Sequence, residues 1–489
     1  MKILMLGWEF PPLVSGGLAT ATEGLVSGLT KLGHQIALVL PHFPDDTAKE
    51  IEAVNPNLTI VSPEHVFQPE RIIRAADSTF AAMSAQSSSG PSGILSATKR
   101  ELERVLGSAQ VANIPLSHYD TFNIESLALS PEDKQLLRSR LSEYRAMLRT
   151  QGATLHSDNS NLWTPLKSEV SEQTEIISMI SGDILSTETA QLFDVIHAHD
   201  WMSLKAVMSL KANTRLPVVL HVHSTEYDRA GLHGNQRIQA LEHMGFTAAD
   251  RLVAVSHLTR RVLVEHYHVS PEKIDVVYNA SNLAHSKNTL RGTGLSLDNN
   301  ASHGNVERDP VISFVGRVTY QKGPAYFVQA AHRALQLDDR LKFQVIGSGD
   351  LLPSMRQLAW ELGISDKFTF HGFQSAKKVE SLLAQSDVFV MPSVSEPFGI
   401  VALEAMAQHI PIIISKQSGV AECLMHALKV DFWDTDLMAD RIVSLVKRPA
   451  LRGELQRNGA RETDRFTWEA SAQRCTEVYH KTYSGMQTT

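Results

Sequence analysis

Short apolar runs recur along the chain, separated by segments with helical periodicity. In the first half they are Lys2–Leu6, Gln35–Leu40, Val195–Ala198, Val218–Val222, Arg251–Val255 and Asp275–Tyr278. In the second half they are Val311–Val315, Lys342–Ile346, Phe368–Phe370, Val388–Met391, Ile412–Ile414 and Leu428–Val430. The runs are continuous rather than alternating, which predicts strands covered on both faces. Stretches such as Ala19–Leu32, Gln329–Leu335 and Leu352–Leu362 read as the intervening helices. Strand–helix alternation in two blocks predicts an α/β protein with two doubly wound parallel sheets.

The polar, aperiodic stretch Asn282–Asp309 separates the blocks. We therefore expect a first domain at 1–285, a flexible linker at 286–309, a second domain at 310–465, and a C-terminal helix and tail at 466–489. A long insertion is expected at about 45–192. It includes the low-complexity run Ser87–Gly93 and helical pieces such as Pro131–Leu148. Asp436–Lys447, Ala450–Gly459 and Trp468–Tyr483 also read as helices. The pattern leaves open which block the last of them packs against.

Composition narrows the class. The 489 residues are 43% hydrophobic and 20% charged, enough for real cores. Forty-six basic and 53 acidic residues give a net charge of −7, which argues against a dedicated nucleic-acid or anionic-membrane binder. Two cysteines, Cys423 and Cys475, exclude a disulfide framework or cysteine metal site. No apolar run approaches the ~18 residues of a membrane helix, and Met1–Gly7 is too short for a signal-peptide core. A cytoplasmic location is expected.

Five places could carry chemistry. Ser15-Gly16-Gly17-Leu18 lies between a strand and a helix, where bare backbone can approach an anion. A tight turn is the plain alternative. Arg317 and Lys322 follow the strand Val311–Val315, at the edge where open α/β sheets bind ligands. A planar guanidinium and a point-charge ammonium suit a diphosphate; the plain alternative is a solvated basic loop. Glu396 and Glu404 straddle a strand-to-helix junction shaped by Pro397 and Gly399. Glu404 sits on an otherwise apolar helix, which is costly unless the acid is paired or ligand-bound; a ribose diol would satisfy it. Gln417-Ser418-Gly419 precedes another helix start, where N–H groups could help hold phosphate. Finally, His197-Ala198-His199-Asp200-Trp201 and His221-Val222-His223 end two strands, followed by Glu226-Tyr227-Asp228-Arg229. Alternate strand residues share a face, so each HxH pair could act together. A metal site is conceivable, yet no HExxH, CxxC or aspartate-rich pattern supports one, and none is expected. Asp200, His223 and Glu226 suit sugar hydroxyls lining a cleft.

Taken together and in order, Ser15-Gly16-Gly17-Leu18, His197–Trp201, His223, Arg317 with Lys322, and Glu396 with Glu404 resemble the retaining nucleotide-sugar glycosyltransferases of the glycogen/starch synthase and family-4 group. The resemblance runs from residue 1 to about 430. It implies the GT-B fold, two Rossmann-like domains facing each other across a cleft. It further implies that Arg317 and Lys322 bind the diphosphate, Glu404 the ribose and Glu396 the donor sugar, while Gly17 meets phosphate through its backbone. His223 would act at the anomeric carbon. Gly399, Ser418 and Gly419 are expected on the donor side, and Asp200, Trp201 and Glu226 on the acceptor or sugar side. The co-substrate would be an ADP-, UDP- or GDP-sugar with no further cofactor, and the acceptor an α-glucan or small saccharide. Val14 departs from the family, where many glycogen synthases carry lysine. The alternatives are an epimerase or hydrolase of nucleotide sugars, or a non-catalytic carbohydrate-binding relative.

Overall fold

A computed structural model of the chain describes residues 1–12, 16–43, 45–62, 192–282 and 308–486, with a few isolated residues between 131 and 181. Val14, Ser15, the run Ser87–Gly93, nearly all of Pro131–Leu148 and the expected linker up to residue 307 lie outside the described residues.

In chain order the first half contains β1 (Lys2–Leu6), α1 (Gly17–Lys31), β2 (Gln35–Val39), α2 (Asp45–Val54), β3 (Leu58–Val61), β4 (Val195–His199), α3 (Leu204–Asn213), β5 (Val218–Val222), α4 (Glu226–Ala230), α5 (Gln236–Ala248), β6 (Arg251–Ala254), α6 (His257–Glu265) and β7 (Ile274–Val276). The second contains β8 (Val311–Val315), α7 (Pro324–Leu335), β9 (Lys342–Ile346), α8 (Leu352–Glu361), β10 (Phe368–Gly372), α9 (Ala376–Leu383), β11 (Val388–Met391), α10 (Ile400–Ala407), β12 (Ile412–Ser415), β13 (Leu428–Val430), α11 (Thr435–Lys447) and α12 (Pro449–Thr463). The last helix is α13 (Trp468–Met486).

Each set of strands forms one wholly parallel sheet. The seven-stranded sheet runs β3-β2-β1-β4-β5-β6-β7, and the six-stranded sheet runs β10-β9-β8-β11-β12-β13. Chain direction across each sheet reverses at one place, between β1 and β4 and between β8 and β11. Loops leaving neighbouring strands there diverge to opposite faces and open a crevice at the strands' C-terminal ends. The loops carrying the expected site residues leave β1, β4, β5, β8 and β11.

One sequence expectation needs correction. Residues 45–61 are not insertion: Asp45–Val54 is α2, and Leu58–Val61 is the edge strand β3, paired with β2. The polar segment around Asn55-Pro56-Asn57 and the shortness of Leu58–Val61 hid this strand, which extends the sheet already formed by β1 and β2.

The apolar runs are continuous because both sheet faces are covered. Leu4, Leu6, Ile196, Ala198, Leu220 and Val222 pack on one face against Leu204, Leu241 and Phe246. Ile3, Met5, Val195, Val219 and Val253 form the other face, and their cluster runs into Met391, Phe398 and Val420 of the second half. The core is thus shared between the halves.

Helix α13 decides the question that the pattern left open. It leaves the second half and packs on α1 of the first. Lys31 meets Glu469 at 2.6 Å, His34 meets Thr476 at 2.9 Å, and Ser471 donates to the Tyr278 carbonyl at 2.7 Å. Glycine permits the contact: a β-carbon on Gly24 would come within 2.0 Å of the Trp468 indole, and one on Gly28 within 2.4 Å of the Trp468 carbonyl oxygen. Gly28→Ala should therefore pry α13 from α1. It gains about 1 kcal/mol of helix propensity, but the overpacking should outweigh this and leave a net loss of about 1–3 kcal/mol. Denaturant unfolding checks this; equal or greater stability would contradict the packing.

Candidate active site

The strand ends deliver their side chains to the crevice. After β8, the turn Tyr320–Lys322 projects Lys322, whose Nζ lies 2.5 Å from Glu396 Oε2 on the loop after β11. Ser393 Oγ donates to the same oxygen at 3.0 Å. The Glu396 residue is only 6% exposed, so the ion pair sits inside the protein and gains from the low local dielectric. Arg317 is exposed, and its charge reaches across to Glu9 on the first sheet. The structure thus brings Lys322 to Glu396 at the β8–β11 reversal, while Arg317, on the same loop after β8, lies within electrostatic reach of Glu9 on the first half.

Glu404 lies midway along α10. Among the described residues no cation pairs with it. Burial, with the nearby Glu380 charge, raises its carboxyl from 4.5 to about 7. Gly399 caps this helix at φ +109, a conformation that excludes most side chains, and so sets the turn between the two glutamates.

On the first sheet the HxH pairs become one stack. His199 is registered directly opposite His221. His199 Nδ1 and His223 Nε2 are 2.8 Å apart, His221 Nδ1 and His197 Nε2 3.3 Å, and Tyr479 of α13 reaches His197 Nδ1 at 2.7 Å. Burial lowers all four; His197 and His223 fall to about 3. The imidazoles are therefore neutral at pH 7 and act as hydrogen-bonding groups rather than charges. His223 Nδ1 is buried and unpartnered. His197, His199 and His221 are the described residues that could hold a metal, each with a ring nitrogen within 4.8 Å of the others.

Several expected ligand residues have other work. Asp200 sits at φ +53 and accepts the His223 N–H at 2.7 Å and the Ser224 N–H at 3.3 Å, tying the β4 loop to the β5 loop. Burial raises its carboxyl to about 6. Trp201 packs into the core beneath the cleft and offers no open ring. Glu226 is committed to Arg229 at 3.0 Å and to the Asn235 N–H at 2.8 Å. Ser418 Oγ donates to the Ser415 carbonyl at 2.6 Å, and the Gly419 N–H to the Glu396 carbonyl at 2.8 Å, so neither is free for phosphate. Gly419 is needed for another reason. Its β-carbon would lie 2.1 Å from the Pro397 carbonyl oxygen and 2.5 Å from Ser256 Cβ of the first half. Ser256 Oγ also donates to Pro397 at 2.6 Å, and Ser395 Oγ to Asp228 at 2.8 Å. Gly17 opens α1, and nothing lies within 4 Å of its missing side chain.

Two residues escaped the sequence reading. Glu9, three residues beyond β1, is 3% exposed with Oε1 unpartnered, and Thr319 Oγ1 is buried and unpartnered in the cationic loop. An acid set in the apolar stretch Trp8-Glu9-Phe10 is the available signal for the first. A threonine beside Arg317 gives none for the second.

With this geometry in place, comparison with known proteins defines the class. Residues 297–462 match the family Glycosyl transferases group 1, residues 184–285 Glycosyltransferase Family 4, and residues 2–80 the Starch synthase catalytic domain. An uncharacterized glycosyltransferase of Methanocaldococcus jannaschii is 25% identical over 487 residues, covering 98% of each chain. A D-inositol 3-phosphate glycosyltransferase of Pseudarthrobacter chlorophenolicus is 30% identical over 301 residues, covering 59% of this chain and 70% of that one. Among solved structures, Anabaena HepE in complex with UDP-glucose superposes with a TM-score of 0.54 at 15% identity, covering 98% of this chain and 99% of that one. The fold is that of the GT-B transferases, two Rossmann-like domains. The chain belongs to the GT-B glycosyltransferases of the family-4 kind and is a glycosyltransferase. Among the described residues no helix is long and apolar enough to cross a membrane.

Two outcomes follow from this geometry. Between pH 4.5 and 7 folded Glu404 keeps a proton that the unfolded chain has released. Stability therefore falls as pH rises through that window and stays lowered above it. Glu404→Gln should be more stable than wild type at pH 8 by on the order of 1 kcal/mol, discounted for partial exposure, and indistinguishable at pH 4. Melting temperatures at both pH values test this. Gly419→Ala keeps the backbone N–H but forces the Pro397 carbonyl and the Ser256 side chain away. It should lower stability by about 1–3 kcal/mol and turnover at least about tenfold; wild-type stability and turnover would contradict the close approach.

Proposed function

We propose that the chain moves a glucosyl group from a nucleotide-diphosphate sugar, with retention at the anomeric carbon, to a hydroxyl of an α-glucan or small saccharide. The observation that carries the reading is the largely buried Lys322–Glu396 pair at 2.5 Å, with Arg317 on the same loop after β8. The barrier to glycosyl transfer lies in separating a cationic sugar from an anionic diphosphate. Fixed cations aimed at the leaving group supply the largest single term. Arg317 and Lys322 fill that role. Glu396, held by Ser393, contacts the sugar hydroxyls, and Glu404 receives the ribose diol. Neutral His223 offers its unpartnered Nδ1 to the sugar without adding charge. Closure of the two halves excludes water and favours transfer over hydrolysis.

HepE's complex with UDP-glucose supports a UDP-sugar donor, and the starch synthase match over residues 2–80 supports a glucan acceptor. The inositol phosphate glycosyltransferase similarity keeps a phosphorylated cyclitol in the set to be tested. The family resemblance supports retention.

The deciding experiment is a screen of UDP-, ADP- and GDP-glucose against glycogen, maltose, glucose and inositol phosphate, following nucleotide release, with the product's anomeric configuration read by NMR. Acceptor-dependent release supports the reading. Equal release without acceptor would favour a hydrolase or epimerase. Lys322→Ala should cut turnover about 10²–10³-fold and destabilise the fold, because it leaves the Glu396 carboxylate buried and unpaired. The double variant Lys322→Ala/Glu396→Gln should recover stability without recovering turnover. Near-normal turnover by either would refute the role of Lys322.

A further inference from the structure

Glu9 is a buried acid with no structural explanation for half of its carboxyl. One side faces the first turn of α1, where the Ala19 N–H donates to it and a β-carbon on Gly16 would stand 3.5 Å from Oε2. The other oxygen, Oε1, is buried with no hydrogen-bond partner. A buried polar atom left in this state is destabilising, because it has given up water without gaining a partner. The charged groups facing Glu9 are Arg317, from the loop after β8, and Asp200, from the loop after β4. Both sit at strand reversals, so the carboxyl lies at the meeting of the two halves.

The position selects the kind of ligand. The cations expected to receive the diphosphate, Arg317 and Lys322, are on the second half, whereas Glu9 belongs to the first. A carboxylate repels a diphosphate and accepts from a hydroxyl. Asp200, the neighbouring acid, already uses Oδ1 on the backbone N–H groups of His223 and Ser224. Gly16 passes Glu9 without a side chain, and among the described residues nothing lies within 4 Å of the missing Gly17 side chain that follows.

We propose that Glu9 Oε1 accepts a hydrogen bond from a hydroxyl of the incoming acceptor and so orients it towards the sugar held by the second half. Glu9 then helps to determine which acceptor hydroxyl is glycosylated. This assignment rests on the transferase reading above and adds the residue that receives the acceptor.

The test uses the full-length protein with UDP-glucose and the acceptor giving the fastest turnover in the screen. Glu9→Gln keeps the shape; its amide oxygen stays on the Ala19 N–H, which puts an NH2 donor where Oε1 accepts. The acceptor KM should rise at least about tenfold, while the donor KM, donor-only nucleotide release and melting temperature should show no loss. Deoxy analogues of that acceptor add a second readout. One deoxygenation should cost the wild type the same factor and cost Glu9→Gln nothing further. An acceptor KM within twofold of wild type, or a parallel fall in donor affinity and donor-only release, would overturn the proposal. Nucleotide release independent of acceptor in the wild type would instead overturn the transferase substrate reading, and the role of Glu9 with it.

Discussion

The site depends on one close approach of backbones. At Gly419 the loop after β12 passes so near the Pro397 carbonyl and the Ser256 side chain that no β-carbon fits. Ser256 comes from the first half and Pro397 from the second. The contact fixes the turn that carries Glu396, and Glu396 in turn holds Lys322. Without it, the acid on one loop and the ammonium on another would lose their common frame. Active-site geometry is sensitive to displacements of about 1 Å, so a packing contact outside the chemistry governs whether the chemistry is assembled.

The same logic appears at the other end of the molecule. α13 follows the second half in sequence yet lies on the first, admitted by Gly24 and Gly28. Its Tyr479 meets His197 at the base of the histidine stack, whose top is His223 in the crevice. The chain thus crosses between the halves twice, once into the second sheet and once back, and the shared hydrophobic cluster follows it. Two sheets with largely separate hydrogen-bond ladders become one framework because apolar surface and bare backbone join them.

Electrostatics in the crevice is arranged by burial more than by charge pairing. Glu9 and Glu404 are both raised to about 7, Asp200 to about 6, and the histidines are held neutral. Acids carried at this cost are poised to gain hydrogen-bond donors from a ligand, whereas Lys322 and Glu396 satisfy each other. Polar groups without partners mark where a sugar's hydroxyls can be received.

The sequence alone determined the sheets, because continuous apolar runs of strand length are what doubly covered parallel strands require. It also put Lys322 and Glu396 within reach of each other, since residues just past neighbouring strand ends meet at a strand reversal. It missed β3, whose four residues carry too little pattern against polar neighbours. It gave Trp201, Glu226, Ser418 and Gly419 to ligands, although the fold uses them for core packing, ion pairing, loop closure and close approach. Residue type and spacing state what a side chain can do, but a carboxylate or a glycine serves a ligand and a neighbour by the same chemistry. Only the tertiary structure decides between them, because only it brings Arg229 to Glu226, Ser256 to Gly419, and nothing at all to Glu9 Oε1.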